Sequence, residues 1–518
     1  MANLLRLSGR CFRVALEIAL LSALILGTRC ANYENVFVGG QIYFVDADCY
    51  ARMTRARLVA QHPGTIVRQH DFENYPAGAT PHTTAPFDYL IVFLSWALSA
   101  CTAQPLDLAG AIISPLLALG GGWFLWWWSR RFAAPGRYAA LLLYALSAIL
   151  VHGTELGRPD HQALLIVALL IALAAEWTLQ EKPSRGWGVV SGLSWGLALW
   201  VSLYEPLILL GGLVLCSAVS RWSNLMAPAR RVGWFLFLGV VWLAALVERR
   251  WPEWPGAQPF FANWSATVGE LKSVGLTNPV WLYWCGGWLL LSPLLLALAR
   301  KRRALPWTFA GLLLLTSCLT LWEARWGYFW AVVFLLTLPV QIAVVRRKWL
   351  AWGAVALGLL PLLQFWDGQF WPNEQAATRR TEDRREAAQW REVASQLSGR
   401  PHAPVLAPWW LSPATAYWSG QPTIAGSSHE SLPGIAASAR FFLATSADEA
   451  EAILRRHDVQ WVLVSDGERV AENSAAILGV TAPAEALGRV LDRSPSKAPP
   501  FLALRWQNGV CKAYQVRK

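Results

Sequence analysis

Apolar runs of membrane-crossing length recur from residue 13 to residue 366, and they dictate that most of this chain folds within a bilayer. In hydrocarbon every backbone polar group must be satisfied internally, so the runs are expected to be helices. At roughly 17–25 residues per crossing, the spans fall at about 13–28, 107–128, 138–152, 161–178, 187–203, 206–221, 232–247, 279–299, 305–321, 328–345 and 349–366. That makes about eleven crossings, with thirteen as the upper count. A mean hydropathy of +0.33 and only 15% charged residues exclude a soluble protein of 518 residues. The 32 tryptophans suit interfacial belts, as at Trp126-Trp127-Trp128 just before Arg130-Arg131.

The net charge of +12 would suggest a nucleic-acid partner in a soluble chain. Here the charges lie between spans, the positive-inside rule accounts for them, and no nucleic acid is expected. The basic clusters are Arg130/Arg131/Arg137, Lys182/Arg185, Arg221/Arg230/Arg231, Arg300/Lys301/Arg302/Arg303 and Arg346/Arg347/Lys348. Placing all of them in the cytoplasm leaves the carboxylates Asp46/Asp48, Glu155/Asp160, Glu205, Glu248/Glu270 and Glu323 outside. The alternation holds only if residues 86–101 do not cross. That stretch is therefore expected to be an amphipathic or re-entrant helix in the first outer loop. Arg6, Arg10 and Arg13 precede the first apolar run, but no A-x-A cleavage site follows it. An uncleaved first span with a cytoplasmic N-terminus is expected, in a bacterial inner or plasma membrane.

Composition changes near residue 367. Residues 374–397 are charged with helical spacing; short strand-like runs follow at 404–407, 423–425 and 459–464, and a helix-like run lies at 446–456. The chain thus divides into a membrane domain, 1–366, and an external α/β domain, 367–518. The membrane domain carries outer loops at about 29–106 and about 248–278. The eight cysteines show no metal-binding spacing; Cys30 and Cys49, both on the outer side, are a candidate disulfide.

Four outer loops each carry a candidate functional residue. They contain Asp46-Ala47-Asp48, Gly157-Arg158-Pro159-Asp160-His161-Gln162, Thr267-Val268-Gly269-Glu270, and Glu323-Ala324-Arg325-Trp326-Gly327. Oxygen ligands drawn from several loops suit a hard divalent cation. An arginine beside them suits a phosphate or pyrophosphate through its planar fork of donors. Acids at span ends also sit in headgroup water without function, and Arg325 has Glu323 as a nearby ion-pair candidate. Glu205 reads as a span-boundary residue, and His429 and Glu430 as a solvated loop.

These motifs, in this order, resemble the catalytic subunit of oligosaccharyltransferase and its single-subunit bacterial and archaeal relatives, which are C-type (GT-C) glycosyltransferases. Asp48-Cys49-Tyr50 resembles the family's first acidic region, and 71–88 its first external loop. Asp160-His161-Gln162 sits where the second acidic motif belongs. Thr267-Val268-Gly269-Glu270 matches T-I-x-E, and Ala324-Arg325-Trp326-Gly327-Tyr328 resembles R-F-x-Y. The resemblance implies transfer of a glycan from a polyprenyl-(pyro)phosphate carrier to an acceptor, protein asparagine in the family, on the external face. It implies Mg²⁺ or Mn²⁺ held by Asp48, Asp160 and Glu270, with His161 or Gln162 as a further ligand. Asp48 and Glu270 would also grip the acceptor amide, and Arg325 would face the pyrophosphate.

Two residues depart from the pattern. Gln162 stands where the family has an acid or histidine. The stretch Pro408-Trp409-Trp410-Leu411 keeps two tryptophans of W-W-D-Y-G, as acceptor-binding residues, but has Leu411 in place of the aspartate. Two alternatives follow: a transferase using polyprenyl-monophosphate sugars on a lipid or other glycan, and a non-catalytic glycan-lipid-binding relative.

Overall fold

A computed structural model describes residues 2–225, 227–250, 256 and 258–517. Side chains of residues 2–10 and 220–224 lie outside the described residues, and with them Arg6, Arg10 and Arg221. The chain forms two compact units. The first comprises Met1–Tyr33, Ile112–Arg249 and Ser273–Asn373; the second comprises Glu34–Ala111, Arg250–Lys272 and Glu374–Lys518.

Among the described residues, six helices are long and apolar enough to cross a membrane: Cys11–Arg29, Pro105–Ser129, His161–Glu181, Pro228–Glu248, Ala324–Ala343 and Lys348–Phe370. Shorter helices occupy the remaining apolar runs, among them Arg185–Val201, Tyr204–Leu225 and Trp307–Trp322. Residues 85–98 do form a helix, of 14 residues. At about 1.5 Å per residue it is too short to cross about 30 Å of hydrocarbon upright.

In the first unit, helices His161–Glu181 and Gly327–Ala343 are buried almost throughout. Both are apolar on all sides, the pattern of a helix enclosed by others. The helix pair Arg185–Val201 and Pro228–Glu248 packs through glycine. Gly188, Gly192 and Gly196 share one face at four-residue spacing. A Cβ at Gly192 would lie 2.1 Å from the Gly233 carbonyl oxygen. Overpacking here is expected to cost about 3 kcal/mol or more. Gly192→Val should therefore lower the melting temperature of the detergent-solubilised protein, and an unchanged melt would refute this contact. Beside the pair, Arg230 donates to Glu176 at 2.5 Å, and both side chains are buried.

The second unit is built on a four-stranded sheet in the order Val405–Leu406, Trp461–Ser465, Cys511–Val516, Leu502–Gln507. The first pair is parallel and the others antiparallel. Because successive side chains face opposite sides, Val462 and Val464 pack with Phe441, Leu454 and Leu491 on one face. Trp461 and Leu463 pack with Trp390, Val393 and Leu397 on the other. Helices thus cover both faces, as expected for an α/β domain. Helices Glu374–Ser395 and Ala447–Arg456 match the sequence reading. Residues 423–425 do not form a strand; Thr423 makes an isolated bridge to Val405. The closing hairpin, 502–516, was not foreseen.

The first long loop belongs to this unit. Tyr75 N–H donates to the Thr423 carbonyl and Thr423 N–H to the Phe72 carbonyl. Gly434 N–H donates to Asn74 Oδ1, and Ser427 N–H to Glu73 Oε1. At Gly434 a Cβ would meet the Ile424 carbonyl oxygen at 1.8 Å, so the residue permits this close approach.

Candidate functional site

Of the sequence-derived residues, Asp160, His161, Gln162 and Arg325 lie in the first unit, and Asp48, Glu270, Trp409 and Trp410 in the second.

In the first unit, Asp160 occupies the N-cap position of helix His161–Glu181. The loop before it is tied down by backbone and side-chain bonds. Leu156 N–H donates to the Arg29 carbonyl at 2.8 Å, Asn32 Nδ2 to the Leu156 carbonyl at 2.9 Å, and Ser114 Oγ to the Arg158 carbonyl. Asp160 Oδ1 lies 2.5 Å from His161 Nδ1, so His161 serves as a local partner of the carboxylate. Arg158 is held by Glu155 at 3.1 Å and lies 3.0 Å from His152 Nε2, while His152 Nδ1 is 2.7 Å from the Tyr328 hydroxyl. Gln162 is buried, and its Oε1 has no hydrogen-bond partner among the described residues. An orphaned buried amide oxygen is costly unless something outside the protein meets it.

Arg325 stands on the short 3-10 turn Ala324–Trp326. It pairs with Glu205: Arg325 Nη2 donates to Glu205 Oε1 at 2.6 Å, and Ser202 Oγ donates to Oε2 at 2.6 Å. Glu205 is 1% exposed. It is thus more than a span-boundary residue, since it fixes the guanidinium.

In the second unit, Asp46 N-caps helix Ala47–Gln61, its Oδ1 accepting from Cys49 N–H at 3.0 Å. Cys49 and Tyr50 point into the core, which leaves Asp48 exposed in the first helical turn, where the helix dipole favours a carboxylate. Glu270 lies half-buried on the turn Gly269–Leu271. Val268 and Leu271 flank it and pack on the cluster that includes Trp264 and Trp409. The Glu270 segment and the double tryptophan are therefore neighbours: the Trp264 and Trp409 ring centroids are 6.0 Å apart. Trp409 Nε1 donates to Asn473 at 2.8 Å, and Arg469 stacks over Trp410. Leu411 packs against the apolar cluster of Trp390 and Leu463, an environment hostile to a carboxylate.

Asp88, in the motif-like run of the first loop, is committed to buried ion pairs with Arg52 at 2.7 Å and Arg55 at 3.8 Å. Of the candidate disulfide pair, Cys30 lies in the first unit and the buried Cys49 in the second. The reading of His429 and Glu430 as a solvated loop does not hold for Glu430. Its side chain is 7% exposed, and His82 lies against it. Burial works to raise this carboxyl, but the His82 ring, its hydrogen bond and His429 hold it well below the usual carboxylate range. Only the separation of some 350 residues concealed the pairing.

Buried Glu73 behaves oppositely. Burial pushes its pKa up to about 7 from an ordinary 4.5, against the pull of Arg55 and the Ser427 amide. The folded state then holds a proton that the unfolded chain has lost. Its contribution is fully present below about pH 4.5 and is lost as pH rises through about 7. Between about pH 5 and pH 8, unfolding free energy should fall by up to about 3 kcal/mol. Glu73→Gln should flatten that dependence in thermal melts; an identical pH profile in wild type and variant would contradict it.

No protein-family model and no curated protein matches this sequence. Solved structures do. The oligosaccharyltransferase AglB from Archaeoglobus fulgidus, in complex with an inhibitory peptide and a dolichol-phosphate, superposes with a TM-score of 0.68 at 15% identity, covering 89% of this chain and 71% of that one. An oligosaccharyltransferase from Archaeoglobus fulgidus in complex with Zn and sulfate gives a TM-score of 0.63 at 14% identity, covering 96% of this chain and 73% of that one. ArnT from Cupriavidus metallidurans bound to undecaprenyl phosphate gives 0.57 at 13%, covering 98% of both chains. Arabinofuranosyltransferase AftD from Mycobacteria gives 0.55 at 13%, covering 97% of this chain and 40% of that one. This integral membrane protein therefore has the fold of the GT-C membrane glycosyltransferases.

Proposed function

We propose that the protein is a membrane glycosyltransferase that moves a glycan from a polyprenyl-(pyro)phosphate carrier to an acceptor on the external face. The reading is carried by the likeness of nearly the whole chain to structures that hold a peptide, dolichol-phosphate or undecaprenyl phosphate. The ordered acidic motifs and Arg325 support it. A protein asparagine acceptor is the finer form of the proposal.

A divalent cation is supported by the Asp160 carboxylate and by the buried Gln162 Oε1, which has no hydrogen-bond partner among the described residues. When bound by Asp48, Asp160, Glu270 and Gln162, Mg²⁺ or Mn²⁺ would supply positive charge that positions and polarises the reacting groups. The Asp160 carboxylate is oriented by His161, whose Nδ1 lies 2.5 Å from its Oδ1. Asp48 and Glu270 are the residues proposed to accept hydrogen bonds from an acceptor amide, which weakens its conjugation and frees the nitrogen for attack. Arg325, oriented by Glu205, is proposed to stabilise charge that develops on the departing phosphate.

Leu411 in its apolar setting favours a second reading on one point: it removes the carboxylate that would read a sequon hydroxyl. Donors of the polyprenyl-monophosphate type and acceptors other than asparagine then enter. Chelation separates the two. With excess EDTA, transfer should fall to background under the first reading; full activity would favour the monophosphate one. Mass spectrometry of external proteins with and without this protein identifies the modified residue and the sugar. Binding of lipid-linked glycan without turnover on any acceptor would sink both.

A further inference from the structure

Apart from the acids proposed for glycan transfer, one cluster of ligand-type side chains stands among the described residues: His82, His429 and Glu430. One ligand atom from each lies within 4.8 Å of the others. His82 comes from the first long loop. His429 and Glu430 form the 3-10 turn His429–Ser431 that leads into helix Leu432–Leu443. All three belong to the second unit.

The segment around His82 is held in place. Arg250 donates to the Pro81 carbonyl at 2.5 Å and the Thr83 carbonyl at 2.6 Å, and Arg55 donates to Thr83 Oγ1 at 2.9 Å. His82 Nδ1 lies 2.5 Å from Glu430 Oε1, and His429 Nδ1 lies 3.7 Å from Glu430 Oε2. The two imidazole rings are 5.1 Å apart. The His82 backbone N–H and Ser428 Oγ also donate to this carboxylate. Ligand atoms around a tetrahedral zinc lie roughly 3.3 Å apart, given bonds of about 2.0–2.1 Å, so the observed separations bracket what a cation needs.

We propose that His82, His429 and Glu430 bind one borderline divalent transition cation, of which Zn²⁺ is the type. Two imidazoles and one carboxylate select such a metal over Mg²⁺ or Ca²⁺, which take all-oxygen sets. His82 is 38% exposed at its side chain, which leaves solvent access for a fourth ligand. The ion pins the first long loop to the turn at 429–431. This site shares no residue with Asp48, Asp160 and Glu270 and does not depend on the glycosyltransferase reading.

The test uses the full chain in detergent, stripped of metal and titrated with Zn²⁺. In an Asp48→Asn, Asp160→Asn, Glu270→Gln background, one equivalent of Zn²⁺ should still bind. Adding His82→Ala or His429→Ala should weaken that equivalent by about 100-fold or more, beyond the loss typical of an outer-shell change. Should either variant fail to elute as a single species, X-ray absorption of the Zn²⁺-loaded background protein decides. Scattering from two imidazoles is expected, and its absence overturns the proposal. Zn²⁺ stoichiometry and affinity unchanged by both substitutions would overturn it too, leaving a hydrogen-bonded His82–Glu430 pair.

Discussion

Asp48→Ala and Glu270→Ala are each expected to lower glycan transfer by about 10²–10³-fold or more, with the protein still inserted and folded. Asp48 is exposed on the first turn of helix Ala47–Gln61, and the fold does not need its carboxylate to cap that helix, because Asp46 does so. Asp46→Ala provides the contrast. It should cost about 1 kcal/mol of stability and leave transfer within a few-fold of wild type. Glu270 rides on a turn whose neighbours Val268 and Leu271 supply the packing. Its removal should likewise spare the melting temperature. The measurement is transfer from polyprenyl-linked glycan in purified membranes beside thermal melting of the same preparations. Retained transfer in both Asp48→Ala and Glu270→Ala would remove the assignment of these acids.

The second large effect concerns Arg325. Arg325→Ala strands the Glu205 carboxylate, which is 1% exposed. Breaking a buried pair by removing one partner costs about 3–5 kcal/mol, because the remaining charge is uncompensated. Arg325→Ala should therefore melt earlier and transfer about 10²–10³-fold more slowly. Adding Glu205→Gln removes the stranded charge, and Ser202 can still donate to the amide oxygen. The double variant should regain most of the stability and none of the transfer. Arg325→Lys retains charge but not the planar fork, so an intermediate rate is expected. If the double variant recovers both stability and rate, Arg325 acts only as a structural ion-pair partner.

What the sequence disclosed, and what it hid, follows from the range of the interactions. Apolar runs are local signals, and helices lie where the runs do. The 85–98 helix was anticipated because charge alternation needed it not to cross. Strand Trp461–Ser465 was visible as a continuous apolar run buried on both faces. The hairpin 502–516 was not, because exposed Arg505 and a register shift between Leu504 and Trp506 break its period of two. That Asp46 caps helix Ala47–Gln61 is a local feature, carried by an acid directly before the helix. The Arg325–Glu205 and His82–Glu430 pairs join residues 120 and 348 positions apart, where spacing carries no information.

The stitching of the first long loop onto Thr423 has a consequence for how the protein is made. Phe72 and Tyr75 take up their backbone bonds with Thr423, about 350 residues later. At a synthesis rate of about 5–20 residues per second, the loop waits on the order of 20–70 s for its partner. During that interval Asn74, Tyr75 and Glu73 lack the groups that satisfy them in the finished protein, and the segment is open to premature pairing or proteolysis. Assembly of the second unit is thus tied to chain completion, and a nascent chain arrested before Thr423 should display the 70–80 loop to protease while the full-length chain protects it.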